Sequence, residues 1–133
     1  AVINTLKAHL GSQFFDLPEE KWERMALSMY GVKDGKWHHR YDDNLRTALF
    51  ENRETIRNLW AIHQLAAELE LPILSIRGEH SDVTSPLTIR QMKAMAPTMQ
   101  SVEIPDRGHC PLMDEPECID ALMGFMGQFK NSV

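Results

Sequence analysis

The stretch LPILSIRGEHSDVTSP, residues 71–86, decides how this chain folds. Its first part, residues 72–78, is short, contains two β-branched side chains and is closed by a glycine, which predicts a buried β-strand. A second such run, SVEIP at residues 101–105, follows a segment of helical spacing that begins at Pro86. Strand, helix and strand joined by short links predict two parallel strands in one sheet.

The remaining sequence has helical spacing. Residues 1–70 contain no convincing strand, and Asp34-Gly35 predicts a turn among their helices. Residues 71–133 alternate strand and helix, and Pro116 begins a last helix with one apolar face. The chain therefore predicts two unlike parts, residues 1–70 and 71–133. The helices of the first part are expected to begin near Val2, Pro18, Asp42 and Ile56.

Composition narrows the class of protein and its partners. Of the 133 residues, 43% are apolar and 25% are charged, as in an ordinary globular domain. The formal charge of -5 and the lack of a Lys/Arg cluster argue against nucleic-acid or anionic-membrane partners, so small molecules or proteins are expected. No apolar run approaches the roughly 20 residues of a membrane span, the start of the chain lacks a signal-peptide pattern, and two cysteines do not make a disulfide framework. The expected compartment is the cytoplasm, with both thiols reduced.

The predicted sheet is incomplete by itself. Parallel sheets are normally buried on both faces, and two strands do not make a stable sheet. The first residue is Ala1 rather than methionine. We therefore expect either a missing amino-terminal half of the same polypeptide or another chain to complete the sheet.

Two polar residues follow the two predicted strands. Asp82 lies beyond the first strand and His109 lies in the loop after the second. Because loops at the carboxyl ends of neighbouring parallel strands lie side by side, these residues are expected to meet. The carboxylate would accept a hydrogen bond from imidazole Nδ1 while Nε2 takes a proton from a nucleophile. Glu79 is the rival candidate for the acid.

Other combinations of reactive residues are less favoured. His38-His39 with Cys110 and Cys118 lacks the spacing of metal ligands, so no metal is expected. Cys110 and His109 are not expected to form a dyad, because neighbours in sequence on a loop rarely point at each other. His80 is expected to be a surface or pocket-lining residue. The three tryptophans are expected to lie in the core rather than in a substrate pocket: Trp22, Trp37 and Trp60.

The sequence resembles the α/β-hydrolase family. LPILSIRGEHSDVTSP is similar to that family's acid-bearing strand and turn, and VEIPDRGHCPLMDEPE, residues 102–117, is similar to its histidine loop. DGKWHHRYDDNL and NLWAIHQLAAELELP resemble the later cap and its return to the core. The resemblance implies a partial α/β-hydrolase fold: a helical cap or lid segment at 1–70, followed at 71–133 by two parallel strands with flanking helices. It assigns Asp82 and His109 as triad acid and histidine.

The chain departs from the family where a nucleophile is needed. None of its serines has the flanking glycines of a Gly-X-Ser-X-Gly elbow, and no oxyanion-hole loop is present. The resemblance therefore implies an esterase-like hydrolase fragment whose nucleophile lies on a missing amino-terminal half. Its substrate would be a small, apolar, ester-like molecule, and no cofactor is implied. The alternative is a non-catalytic truncated module that acts by protein binding or self-association.

Overall fold

The computed structural model describes residues 2–42, 44–51 and 59–129. The chain falls into two compact units, Ala1–Leu59 and Trp60–Val133. The predicted division at residue 70 lies inside the second unit, and the assignment of residues 1–70 to a cap remains a prediction. Ile56, predicted to begin a helix, lies outside the described residues.

In its described residues the first unit has three helices, α1 (Val2–Leu10), α2 (Glu19–Met29) and α3 (Asn44–Glu51). The first two pack together, as their helical spacing predicts. Asp42 precedes α3, and its carboxylate accepts a hydrogen bond of 2.8 Å from the Asn44 amide, which confirms the expected helix start. The small core of this unit consists of buried apolar residues: Leu6, Phe14, Trp22 and Ala26.

An antiparallel hairpin follows α2, so the prediction that residues 1–70 contain no strand is wrong. Strand β1 (Tyr30–Lys33) pairs with β2 (Lys36–His39) through the predicted turn at Asp34-Gly35. Both turn residues have positive φ, 53° and 72°, which suits the tight turns that join twisted strands. The strands have four residues each and are largely exposed, so they show no apolar alternation for sequence reasoning to detect.

The second unit contains the predicted parallel pair. Strand β3 (Leu74–Gly78) pairs with β4 (Gln100–Ile104) in register from Leu74↔Gln100 to Gly78↔Ile104. The observed pairing is parallel, as the strand, helix and strand order predicts. Three helices accompany the strands: α4 (Leu59–Glu68), α5 (Pro86–Met95) and α6 (Pro116–Gly127).

Helix packing and capping hold the strand pair in place. Helix α6 packs against both strands, and its Cys118 is fully buried. Helix α5 begins as predicted, with the Ser85 hydroxyl accepting a hydrogen bond of 3.1 Å from the Thr88 amide and Pro86 in the first turn. No helix in the described ranges is both long and apolar enough to span a bilayer. The buried apolar residues of this unit are Ala96, Met99, Ile104 and Cys118.

Candidate functional site

The first part of the site is the acid turn, residues 79–84, which follows β3 directly. The Ser81 hydroxyl accepts backbone hydrogen bonds from Val83 at 3.3 Å and Thr84 at 3.1 Å. A serine hydroxyl used in this way replaces backbone partners and closes a tight turn. Asp82 lies inside this turn and is exposed, so its carboxylate is accessible from solvent.

A buried arginine braces the acid turn from beneath. The Arg77 side chain is 7% exposed, and its Nε donates to the Thr84 carbonyl at 2.6 Å while Nη2 donates to the Glu79 carbonyl at 3.0 Å. Its Nη1 donates to the carboxylate of Glu103 on β4. One guanidinium therefore ties both ends of the turn that carries Asp82 to the neighbouring strand.

The second part of the site is the histidine loop, residues 105–115, which follows β4. Glu115 closes it: one carboxylate oxygen accepts from Arg107 Nε at 2.9 Å and from the Leu112 amide at 3.1 Å. These two donors lie on opposite sides of His109 in the sequence. His109 itself is exposed, so the conformation of the surrounding loop, rather than burial of the ring, fixes where it lies.

The acid turn and the histidine loop lie directly against each other. The His80 amide donates to the Arg107 carbonyl at 2.8 Å. A Cβ added at Gly78 would lie 2.2 Å from the Gly108 carbonyl oxygen and 2.4 Å from that of Arg107, so only glycine permits this approach. The prediction that the loops after the two parallel strands are neighbours is therefore confirmed.

Side chains next to the two candidate catalytic residues join the loops. The Glu79 carboxylate accepts from the Asp106 amide at 3.2 Å, and His80 Nε2 lies 3.7 Å from Glu79 and 4.0 Å from the Asp106 carboxylate. The contacts of Asp106 with Glu79 and His80 therefore link the two loops. Glu79, the rival acid, thus bonds across the loops, and Glu79, Asp82 and His109 are all exposed.

Burial and hydrogen bonding shift the pKa values of two groups below the histidine loop. Burial alone would raise the pKa of Glu115, but hydrogen bonds from the Leu112 and Glu115 amides, Cys118 and Arg107 outweigh it and lower that pKa from its usual value. The carboxylate is therefore ionised at neutral pH. Burial, followed by the hydrogen bond to Glu115 and by its charge, raises the pKa of the Cys118 thiol to about 11. That thiol is neutral and unreactive under physiological conditions.

One cluster offers the atom types that bind metal ions. Glu79, His80 and Asp106 each present one ligand atom, and these atoms lie within 4.8 Å of one another; elsewhere in the described residues no such group occurs. Exposed acidic groups gather in this way without a metal, and Glu79 is already occupied by the Asp106 amide. The set weighed from the sequence, two histidines and two cysteines, is not such a group among the described residues. Its members are His38, His39, Cys110 and Cys118.

The three tryptophans lie in different surroundings. Trp22 is 5% exposed and packs edge-on against Phe14 with ring centroids 6.2 Å apart, as predicted for a core residue. Trp37 is 47% exposed, which contradicts the preference for the core. It borders a pocket of about 260 Å³ in the first unit, lined by Val2, Ile3, Glu23, Ala26, Leu27 and Trp37. Trp60, 41% exposed, borders an open groove in the second unit with Gln91, Ala94 and Met95.

Sequence reasoning missed three residues that hold the site together: Arg77, Arg107 and Glu115. Two of them, Arg77 and Glu115, had a detectable signal. An arginine in a short, buried strand must find acceptors, and an acid immediately before Pro116 stands at the start of a helix, where negative charge is favoured. The partners, which include backbone carbonyls, an amide and the pairing of Arg107 with Glu115, are set by loop geometry that no spacing rule predicts.

Solved structures define the class of protein to which this fold belongs. An α/β hydrolase from Novosphingobium aromaticivorans is similar to the chain with a TM-score of 0.79 and 27% identity, over 96% of this chain and 45% of that one. E-2-(acetamidomethylene)succinate hydrolase is similar in fold, with a TM-score of 0.66 and 21% identity, over 94% of this chain and 45% of that one. The chain therefore carries part of an α/β-hydrolase fold, as predicted.

A curated relative agrees with the structural neighbours. The 3-hydroxybutyrate-oligomer hydrolase of Cupriavidus necator is 31% identical over 124 residues, which cover 87% of this chain and 40% of that protein. No family model matches the chain. The chain thus spans less than half the length of each of these relatives.

Proposed function

We propose that this chain supplies the acid and the histidine of a catalytic triad in an α/β-fold hydrolase that cleaves an acyl bond, with Asp82 and His109 in those roles. The observation that carries the proposal is the contact between the two loops: the His80 amide donates to the Arg107 carbonyl at 2.8 Å. That bond brings the turn of an exposed acid beside the loop of an exposed histidine, at the edge of a parallel sheet where such folds place their sites.

The chemistry assigned to this chain is proton transfer. His109 Nε2 takes the proton of an attacking hydroxyl and returns it to the leaving alcohol, and then repeats both transfers with water as the nucleophile. Asp82 accepts the Nδ1 hydrogen bond and stabilises the imidazolium that forms. The nucleophile and the oxyanion hole belong to sequence outside this chain, because none of its serines has the flanking glycines of an elbow.

The proposed substrate is a small ester with an apolar part. Residues 1–70 are proposed to act as the cap, and the pocket beside Trp37 supports this because five of its six lining residues are apolar. The relative from Cupriavidus necator is named for hydrolysis of 3-hydroxybutyrate oligomers, which are hydroxyacid esters. We therefore propose hydroxyacid esters as the first substrates to test, and the cytoplasm, with both thiols free, as the compartment.

The test uses the product of the complete gene with p-nitrophenyl butyrate and the linear 3-hydroxybutyrate dimer as substrates. His109→Ala and Asp82→Asn are each expected to lower kcat by roughly 1,000-fold or more while thermal unfolding stays near that of the wild type. The pH profile of kcat/KM should lose its rising limb in His109→Ala, because that limb reports the free base.

Neighbouring residues provide matched controls. His80→Ala removes an imidazole beside the site, and Glu79→Gln removes the charge of the rival acid; both are expected to keep kcat within about 10-fold of the wild type, an effect of lost positioning alone. Unchanged turnover in His109→Ala would refute the proposal. A larger loss in Glu79→Gln than in Asp82→Asn would transfer the role of acid to Glu79.

A second candidate is a non-catalytic module that binds a protein or itself. The observation that favours it is the parallel sheet, which has two strands among the described residues. Parallel strands are rarely stable in pairs, so a strand from elsewhere is expected to add to this sheet. Light scattering of the purified 133-residue chain separates the candidates. A stable, folded oligomer whose assembly is indifferent to His109→Ala supports the module, and an unfolded chain supports the enzyme fragment.

A further inference from the structure

The histidine loop contains a buried ion pair that the proposed chemistry does not use. The Glu115 side chain is 7% exposed and that of Arg107 is 17% exposed. Burying two charges is costly, and apolar side chains of similar size would often stabilise a fold as well or better. A buried ion pair next to a functional loop is therefore better explained by what it orients than by the stability that it adds.

The hydrogen bonds of this pair enclose His109. A single Glu115 oxygen accepts from Arg107 Nε at 2.9 Å and from the Leu112 amide at 3.1 Å. The loop between these donors, residues 107–112, is thereby drawn into a closed shape. His109 is exposed and lies inside it, so changes in this shape move the imidazole directly.

The same pair also connects the histidine loop to the acid turn. Arg107 Nη1 donates to the Asp106 carbonyl at 2.9 Å, and the Arg107 carbonyl accepts from the His80 amide at 2.8 Å. Arg107, which Glu115 binds, is thus also the residue that accepts the hydrogen bond from the acid turn. Fixing Arg107 therefore fixes the distance between the turn that carries Asp82 and the loop that carries His109.

We propose that Arg107 and Glu115 form a positioning clamp that holds the His109 imidazole towards the acid turn. The inference rests on the proposed function, because it gives these residues their role through His109. Losing the clamp is expected to misplace the imidazole by about 1 Å, and errors of that size reduce turnover by about 100-fold without weakening substrate binding.

The test measures kcat and KM separately in the product of the complete gene, with p-nitrophenyl butyrate as substrate. Glu115→Ala and Arg107→Ala are each expected to lower kcat by about 100-fold with KM within about 3-fold, and the double variant should be no slower than either, because the pair acts as one unit. Glu115→Gln keeps an oxygen that accepts both hydrogen bonds, so it should recover at least about 10-fold of that loss. It also serves as the assay variant if Glu115→Ala does not fold.

Cys118→Ala is the matched control for a merely structural effect. Its thiol is fully buried and donates to the other Glu115 oxygen at 3.5 Å, not to the oxygen that accepts from Arg107 and Leu112. This variant should lower the melting temperature about as much as Glu115→Gln does and keep kcat within about 3-fold of the wild type. The clamp is supported when the two variants match in stability and differ in kcat.

The parent proposal and the clamp fail in distinguishable ways. If His109→Ala turns over as fast as the wild type, the proposed function is refuted and the clamp is refuted with it. If His109→Ala is inactive while Glu115→Ala and Glu115→Gln keep the kcat of Cys118→Ala, the proposed function stands and the clamp alone is overturned.

Discussion

The acid turn and the histidine loop follow adjacent parallel strands, yet different chemistry holds each of them. Arg77 secures the acid turn chiefly through the carbonyls of Glu79 and Thr84. Arg107 secures the histidine loop through the Glu115 carboxylate, which is buried and ionised. The acid turn therefore depends mainly on acceptors that do not titrate, whereas the histidine loop depends on a charge.

The difference follows from the length of the two segments. The acid turn is short, so the Ser81 hydroxyl and one guanidinium satisfy its backbone. The histidine loop connects β4 to the start of α6. One oxygen of the Glu115 carboxylate, immediately before α6, accepts hydrogen bonds from donors on both sides of His109. A longer loop needs a stronger, charge-assisted anchor, and it acquires a sensitivity to pH that the shorter turn lacks.

The largest expected effect comes from removing the contact that both segments share. Gly78→Ala would place a Cβ 2.2 Å from the Gly108 carbonyl oxygen, so we expect a loss of more than about 3 kcal/mol in the free energy of unfolding. Urea unfolding of the complete gene product measures it. Gly124→Ala in α6 is the control, because nothing lies within 4 Å of the new methyl group; it should stabilise by about 0.5–1 kcal/mol. Equal stability of the two variants would contradict the close approach of the loops.

The second prediction loosens the acid turn alone. Arg77→Met leaves the carbonyls of Glu79 and Thr84 without their donors, and about 2–3 kcal/mol of unfolding free energy should be lost. Hydrogen exchange should accelerate in residues 79–84 and stay unchanged around Leu112. Exposed Arg90 in α5 provides the control, since Arg90→Met should cost less than about 0.5 kcal/mol. Faster exchange in both segments would show that one brace serves both.

The third prediction concerns pH. The folded-state pKa of Glu115 lies below its usual value, so its stabilising contribution is present above the unfolded-state pKa and is lost as pH falls through the folded value. Glu115→Gln should therefore be less stable than the wild type at pH 7, and the gap should close towards pH 3. Chemical unfolding at both values measures it. Glu117→Gln, which changes an exposed acid in the first turn of α6, is the control and should shift stability by less than about 0.5 kcal/mol at pH 7. A stability difference between Glu115→Gln and the wild type that does not change with pH would show that the Glu115 charge does not stabilise the histidine loop.

The smallest expected effect concerns the inner hydrogen bonds of the acid turn. Ser81→Ala removes the acceptor used by the Val83 and Thr84 amides and should cost about 1 kcal/mol, because solvent can replace part of what is lost. Ser28→Ala is the comparison, since that hydroxyl bonds only to the Arg24 carbonyl on an exposed helix surface. A cost above about 2 kcal/mol would rank Ser81 beside Arg77 as a brace of the turn.

The parts of the fold that could be predicted from the sequence are those with strong periodicity. Apolar, β-branched runs placed β3 and β4, and Pro86 and Pro116 marked the starts of the helices α5 and α6. The hairpin of the first unit was missed because its strands are short and exposed and bury no face. A periodic pattern of apolar residues arises where an element buries one face. An element that buries no face has no such pattern, so only its turn can be detected in the sequence.

The site was predictable to the level of loops and no further. Parallel topology predicted that the segments bearing Asp82 and His109 are neighbours, and they are. The contacts of Arg77 and Arg107 were not predicted, because the carbonyls that accept from Arg77 and the carboxylate that accepts from Arg107 take their positions only in the folded loops. Triad roles for Asp82 and His109 stay predictions until the substitutions are assayed.

The two cysteines differ in burial, and this difference provides a way to label the histidine loop selectively and to measure its motion. Cys118 is fully buried, and its thiol keeps its proton up to a pKa of about 11, whereas Cys110 is exposed immediately after His109. Alkylating reagents attack thiolates, so a maleimide fluorophore or spin label at neutral pH should attach to Cys110 and leave Cys118 unmodified. Within this 133-residue chain, a spectroscopic reporter can thus be installed beside the histidine without any substitution.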